Sequence, residues 1–217
     1  MMVNLSLAML LFLFGAIIMG LEILSSNLMA PYFGGSVYVW GSIISSFMIH
    51  MSLGYALGGY LAKRNGTIAV LLRFLLAGSL LIILIPSIHN PLCSFMSERI
   101  DDMRYASLAA MLILSFPVLI LAMICPYIVG IFSVFRLNSG MSAGLVLLVS
   151  TFGSFIGTNL TAFYLIDLYP VSTIIRILGV VGSAASLLSI GLNLDRRLKG
   201  MTSVGQSWIR TDRVRRL

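Results

Sequence analysis

The chain has 217 residues, of which 59% are hydrophobic and only 10% are charged, and its mean hydropathy is +1.04. A soluble domain of this length carries about 25% charged residues, so this composition excludes a soluble enzyme as the bulk of the chain. The net charge of +7 comes mainly from residues after Leu194, and it is therefore a property of the tail.

Six apolar stretches follow one another, each close to the length that an α-helix needs to cross a bilayer. Their apolar runs are continuous rather than alternating, which favours helices over the strands of a barrel. Turn-forming residues separate them at 30–35, 63–66, 90–91, 138–140 and 169–170. We therefore predict an all-α bundle of six transmembrane helices within residues 1–194, at 7–24, 38–61, 67–85, 107–132, 141–166 and 172–194.

Basic residues of short loops predict the orientation of the bundle, because they are enriched on the cytoplasmic side. With a cytoplasmic N-terminus, the inner loops hold Lys63, Arg64 and Arg136, whereas the outer loops hold Arg99 and Arg104 beside three acidic residues. We therefore predict that both termini are cytoplasmic and that residues 195–217 form a basic cytoplasmic tail. For this tail we expect contact with anionic lipid head groups rather than nucleic acid, through Arg196, Arg197, Lys199, Arg210, Arg213, Arg215 and Arg216.

Two pairs of glycines have the four-residue spacing of close helix contacts. Gly54 and Gly58 belong to the second predicted helix, and Gly153 and Gly157 belong to the fifth. Small residues at this spacing let two helix backbones approach. We expect packing within the bundle, while a dimer interface and a sliding transport interface stay open as alternatives.

Polar residues within the predicted helices are candidates for a binding site, because an ionisable group in a bilayer costs about 2.5–3.5 kcal/mol. We expect Glu22 and Arg176, with Asp167 nearby, to form a polar cluster between helices. The alternative is a structural Glu22 and an Arg176 that extends to the membrane surface. His50 is typical of a buried hydrogen-bonding residue, although a ligand role stays open. The complete candidate set is Glu22, Asn27, His50, Asn159, Asp167 and Arg176.

The sequence shows no pattern typical of catalysis, metal binding or nucleotide binding. We therefore expect neither a cofactor nor an enzymatic activity in this chain. Cys93 is predicted in a connecting segment and Cys125 in the fourth helix, and we expect both to be unpaired. Pro117 and Pro126 lie within that fourth helix and predict a kink or a break, because proline removes backbone hydrogen bonds.

Several segments resemble the membrane region of bacterial spermidine synthase-like proteins, which are fusions of a major-facilitator-like region with a synthase domain. The resemblance rests on 20–44, with Gly-Leu-Glu-Ile-Leu-Ser-Ser-Asn and Ala-Pro-Tyr-Phe-Gly, and continues through Gly54, Gly58 and Gly59. Cys125-Pro126-Tyr127 and the segment 150–161 resemble later motifs of this family. Family members usually carry arginine at the position of Asn27 and often a basic residue at that of Gly130.

The resemblance implies a non-catalytic inner-membrane subunit of a bacterium that anchors a soluble aminopropyltransferase-like partner. It also implies a site for a cationic, polyamine-like solute, with Glu22 as the attracting charge and Tyr32, Tyr38 and Trp40 as an aromatic wall. Because 59–66 resembles a loop of major-facilitator transporters, we keep a homodimeric half-transporter as one alternative. A structural membrane scaffold is the other.

Overall fold

The chain folds into a bundle of membrane-length helices, which confirms the predicted all-α membrane class. A computed structural model describes residues 2–134 and 139–192, and this part is almost entirely helical and contains no strand. Five helices are long and apolar enough to span a bilayer, and the stretches Met103–Leu114 and Phe116–Ile131, joined at a 46° bend, make a sixth span. The predicted tail, including Arg196, Arg197, Lys199, Arg210, Arg213, Arg215 and Arg216, lies outside the described residues, as does Arg136.

The helices group into six spans that we number in chain order. Spans 1, 2 and 3 are single helices, span 4 is broken into three, and span 5 contains a π-helical turn, Thr161–Leu165. The helices are α1 Met2–Phe33 (span 1), α2 Val37–Asn65 (span 2), α3 Ile68–Arg99 (span 3), α4 Met103–Leu114, α5 Phe116–Ala122 and α6 Ile124–Val134 (span 4), α7 Ser139–Leu160 and α8 Ile166–Leu168 (span 5), and α9 Val171–Gly191 (span 6).

Spans 1 and 3 are longer than predicted, because their proline-containing ends remain helical. The break predicted at Asn90-Pro91 is wrong, since α3 continues through both Pro86 and Pro91. Contacts with the end of α1 hold this extension in place: the Tyr32 hydroxyl donates to Asn90 Oδ1 at 2.8 Å. Cys93, predicted in a connecting segment, is instead buried in α3 beside Met29. The turn after α1 comes later, at Gly34, whose φ of +76° favours glycine.

The predicted break in the fourth helix is confirmed. Helix α4 ends at Leu114, and Ser115 and Met123 separate it from α5 and α6. Pro117 lies in the first turn of α5, where its missing N–H costs no helical hydrogen bond. Before α4, Asp102 accepts a hydrogen bond from the backbone N–H of Arg104. The Arg104 side chain also donates to Asp102, and these bonds lower the pKa of that carboxyl.

The spans pack in pairs that follow an inverted repeat. Span 1 packs mainly on span 5, span 2 on span 4, and span 3 on span 6. Suppose that a two-fold rotation exchanges span 1 with span 4, span 2 with span 5 and span 3 with span 6. This rotation maps the pair of spans 1 and 5 onto the pair of spans 4 and 2, and it maps the pair of spans 3 and 6 onto itself. Within the first two pairs the helices run in the same direction, as an axis in the membrane plane requires.

The glycine motifs of spans 2 and 5 lie at equivalent positions of this repeat. A Cβ on Gly153 or Gly157 would overlap the backbone of Phe12 or Ala16 in span 1. In the same way, a Cβ on Gly54 would overlap Leu119 O, and one on Gly58 would crowd the Met123 backbone in span 4. The contacted residues have the same spacing in both pairs, so the two contacts are one packing solution used twice.

Adding a single methyl group to either motif should destabilise the bundle. For Gly54→Ala and Gly153→Ala we expect a loss of about 1–3 kcal/mol in the free energy of unfolding, because the paired backbones must separate. Gly59→Ala is the matched control, since open space surrounds Gly59, and alanine favours a helix by up to about 1 kcal/mol. Denaturant titration in mixed micelles measures all three. Equal stability of Gly54→Ala and Gly59→Ala would show that spans 2 and 4 are not in close contact.

Candidate functional site

A partly polar cavity lies where spans 1, 2, 4 and 5 meet. Its volume is about 120 Å³, and its walls combine apolar side chains with hydroxyl and thiol groups. The Cys125 thiol donates to Ser150 Oγ at 3.3 Å, and Ser154 Oγ donates to the carbonyl oxygen of Gly15 at 3.2 Å. The polar lining consists of Tyr55, Cys125, Ser150, Thr151 and Ser154.

Equivalent positions of the two halves of the bundle line this cavity. The repeat that equates Gly54 with Gly153 also equates their successors, Tyr55 and Ser154, and both line the cavity. The same relation holds between spans 1 and 4, where two further equivalent pairs are found in the lining, namely Gly15 with Ala122 and Ile18 with Cys125. Transporters built from inverted repeats bind their substrates at such repeat interfaces, near the bilayer midplane.

Glu22 lies on the same face of α1 as the residues that line this cavity, but it is not itself part of the lining. Gly15, Ile18 and Met19 line the cavity, and Glu22 follows them at helical spacing, one turn further along. The side chain is partly buried. Within the described residues, the one ion pair joins Arg104 and Asp102 at 3.0 Å, and no described group bonds the Glu22 carboxylate. An acidic group thus stands unpaired beside a polar cavity.

The predicted cluster of Glu22, Asp167 and Arg176 is not formed by contacts between described residues. Arg176 is exposed, because its neighbours Ile174 and Ile175 take the buried face of α9. Asp167 is exposed at the end of span 5, and Asn27 is exposed on α1. Asn159 satisfies its own amide by donating to the Phe155 carbonyl at 2.8 Å.

His50 is buried in the contact between spans 2 and 4, and its Nδ1 belongs to a hydrogen-bond network. The Ser115 hydroxyl donates its proton to Met111 O at 2.7 Å, so the proton between Ser115 and His50 belongs to the ring. His50 Nδ1 therefore donates to Ser46 O at 2.9 Å and shares its proton with Ser115 Oγ at 3.0 Å. This arrangement fixes the histidine as part of the helix contact.

Serines extend this polar contact along span 2. Ser42 and Ser46 precede His50 at four-residue intervals, and Gly54 and Gly58 follow it at the same intervals. The Ser42 and Ser107 hydroxyls lie 2.9 Å apart, two turns from the His50–Ser115 pair on both helices. One continuous stripe of small and polar residues on α2 thus lies along the broken span 4.

The aromatic residues expected to form a wall around a cation with Glu22 have other contacts. The Tyr38 ring faces the Arg104 guanidinium, 5.3 Å from the ring centroid, and the Tyr32 hydroxyl bonds to Asn90. Trp40 is exposed near the start of α2. At Gly130, where the resembling family often has a basic residue, a Cβ would lie 2.7 Å from Ala62 Cβ. A basic residue would not fit there without a shift of span 2.

The cavity residues were only partly accessible to sequence reasoning. Cys125, Ser150, Thr151 and Ser154 belong to segments singled out in the sequence, but neither they nor Tyr55 were among the candidate site residues. The signal that identifies Tyr55 and Ser154 is the correspondence of the two glycine motifs, because each of these residues follows the first glycine of a pair.

In the described part of the chain, His, Cys, Asp and Glu side chains form no group of three that could hold a metal ion. No protein-family model, curated protein or solved structure matches the chain.

The His50 network can be tested through the serine on the opposite helix. Ser115→Ala should lower the free energy of unfolding by about 0.5–1.5 kcal/mol, because His50 loses one of its two acceptors. Ser52→Ala serves as the control. Ser52 lies on the exposed face of α2, the helix that carries His50, so its replacement should leave the free energy of unfolding unchanged. The comparison uses denaturant unfolding in micelles. A Ser115→Ala variant as stable as Ser52→Ala would mean that this hydrogen bond contributes nothing to the contact of spans 2 and 4.

Proposed function

We propose that this chain is a non-catalytic membrane subunit that binds a small cationic, polyamine-like solute and moves it across the bilayer. The observation that carries the proposal is the unpaired carboxylate of Glu22 beside the cavity between the two halves of the bundle. A carboxylate at membrane depth is costly and needs a compensating partner. Since no described residue supplies that charge, a bound cation is the partner that the site favours.

The architecture supports movement of the solute as well as binding. Inverted repeats, a broken helix and a cavity between the repeats are the features from which secondary transporters are built. Span 4 is broken next to this cavity, and Ala122, Ile124 and Cys125 at its second break form part of the lining. Six spans equal half of a major-facilitator transporter, so the proposed working unit is a homodimer. This part of the proposal rests on architectural analogy.

The resemblance to spermidine synthase-like proteins supports a second role as an anchor. In the resembling fusions, a soluble synthase domain accompanies the membrane region, and the proposed role of this chain is to anchor a soluble aminopropyltransferase-like partner of that kind. The proposed location is the cytoplasmic membrane of a bacterium, with both termini inside. The exposed basic residues Lys63 and Arg64 at the end of α2 support this orientation, as they lie at the same end of the bundle as the start of α1 and the end of α9.

Neutralising Glu22 should abolish charge-dependent transport without unfolding the protein. For Glu22→Gln we expect uptake of spermidine into proteoliposomes to fall at least about tenfold, because a bond to a charged group contributes about 1.5–3 kcal/mol. Glu98→Gln, an exposed change in the last turn of α3, is the matched control. Unchanged uptake by Glu22→Gln would contradict the charge role. No uptake by any variant, with Gly54→Ala still disrupting the bundle, would favour a structural scaffold.

Purification from the native membrane tests the anchor role. In mild detergent, we expect a soluble aminopropyltransferase-like chain to copurify in stoichiometric amount, as identified by mass spectrometry. The partner would bind on the cytoplasmic side, so the C-terminus should lie there. A reporter that is active only in the cytoplasm should therefore be active when it is fused after Leu217. A homo-oligomer without any partner would contradict the anchor role and would be consistent with the transporter role alone. A reporter active only outside the cytoplasm would contradict the proposed orientation.

A further inference from the structure

Two hydroxyl groups in the cavity between spans 1, 2, 4 and 5 have no hydrogen-bond partner among the described residues. Of the polar lining residues, Cys125 and Ser150 bond to each other, and Ser154 donates to a backbone carbonyl of span 1. Tyr55 and Thr151 make no such bond within the same part of the chain. They belong to spans 2 and 5, which have little contact with each other. A ligand in the cavity can therefore reach two free hydroxyls, one from each span.

The break in span 4 supplies a third acceptor to the same cavity. Ala122 lines the cavity at the end of α5. Its carbonyl oxygen would normally accept the backbone N–H of the residue four positions later, but that residue is Pro126, which has no N–H. Carbonyl groups at the end of a broken helix carry partial negative charge, and they coordinate cations in secondary transporters with discontinuous helices. The cavity thus combines two hydroxyls and one carbonyl as acceptors.

These three acceptors fit a primary ammonium group. Like the lysine side chain, an alkylammonium has three N–H donors and no acceptor. The three oxygens can accept all of these bonds, and the face of the Tyr55 ring also attracts a cation. The cavity volume of about 120 Å³ is well below the roughly 300–1,000 Å³ of sites that enclose a drug-sized ligand. The cavity therefore admits one end of an amine rather than a whole polyamine.

Glu22 lies at a distance from this cavity that suits a second ammonium group. Ile18 lines the cavity, and Glu22 follows it four residues later, about 6 Å further along α1. Helical side chains tilt toward the N-terminus of their helix, so the side chain of Glu22 leans back toward the cavity. Two ammonium groups joined by three or four methylenes are about 5–6 Å apart in an extended chain. The two binding points thus match the two ends of a short diamine.

We propose that the site recognises both ends of a linear diamine unit. One ammonium group pairs with the Glu22 carboxylate. The other enters the cavity and donates to Tyr55, Thr151 and the Ala122 carbonyl. This inference rests on the proposed function, since it takes Glu22 as the charge that binds the solute. It narrows the solute to amines with two ammonium groups about three or four methylenes apart. Such a unit is either a free diamine or one end of a longer polyamine.

Equilibrium binding to the full chain in mixed micelles tests the two-ended site. Putrescine is compared with butylamine, which has the same carbon chain but one ammonium group. The wild type should bind putrescine at least about tenfold more tightly, because the second ammonium gains bonds to the cavity. Tyr55→Phe combined with Thr151→Val should remove this preference by weakening putrescine alone, and either single variant should give part of the loss. Glu22→Gln should weaken both amines.

The matched control is Thr158→Val, since Thr158 is half-buried on the same α7 but does not line the cavity. This variant should bind both amines like the wild type. Retained butylamine binding shows that the double variant is folded. Unchanged putrescine binding in that folded variant would overturn the assignment of the two hydroxyls.

The remaining outcomes separate this inference from the proposed function. Equal affinity of the wild type for putrescine and butylamine would overturn the two-ended site but leave the role of Glu22 intact. Binding of neither amine would overturn the proposed function together with this inference. Where putrescine is preferred, displacement by spermidine identifies the end of a longer polyamine as a ligand. Failure of spermidine to displace putrescine restricts the site to free diamines.

Discussion

The fold depends on the approach of helix backbones at glycines that have no side chain to keep them apart. Within a bilayer, lipid tails are as apolar as leucine, so burial of apolar side chains does little to drive helices together. Close van der Waals packing has to supply what the hydrophobic effect cannot. Gly54 against Leu119 and Gly153 against Phe12 provide this packing at equivalent places in the two halves of the bundle.

The cavity and an apolar gap on the outside of the bundle both follow from these contacts. Where two pairs of closely packed helices meet, the residues next to the glycines face the centre and leave the small space lined by Tyr55 and Ser154. Where span 6 packs on span 3 rather than on span 5, an apolar gap remains on the outside. The polar space is thus internal and the apolar space external, the reverse of a soluble protein.

The sequence was sufficient for the class of fold but not for the site. Continuous apolar runs predicted the spans, and Pro117 predicted the broken helix, because both effects are local. The break predicted at Pro91 was wrong for the opposite reason. The helix around Pro91 contacts α1, as in the hydrogen bond between Tyr32 and Asn90, and a local sequence pattern does not contain such contacts. The expected pairing of Glu22 with Arg176 failed likewise, since the rotation of α9 about its axis is set by packing on α3. Of the two serines that bond His50, Ser46 shares its face of α2, whereas Ser115 belongs to span 4 and is brought to the histidine by packing alone.

The repeat is symmetrical in its backbone but not in its charge. The position in span 4 that corresponds to Glu22 in span 1 is Val129, a residue with no charge and no hydrogen-bonding side chain. An ionised Glu22 therefore places negative charge on one side of the cavity only. Two conformations related by the pseudo-symmetry would resemble each other in shape, yet they would differ in energy whenever a positive charge occupied the centre. The single carboxylate thus makes the two sides of a nearly symmetrical helix bundle electrostatically different.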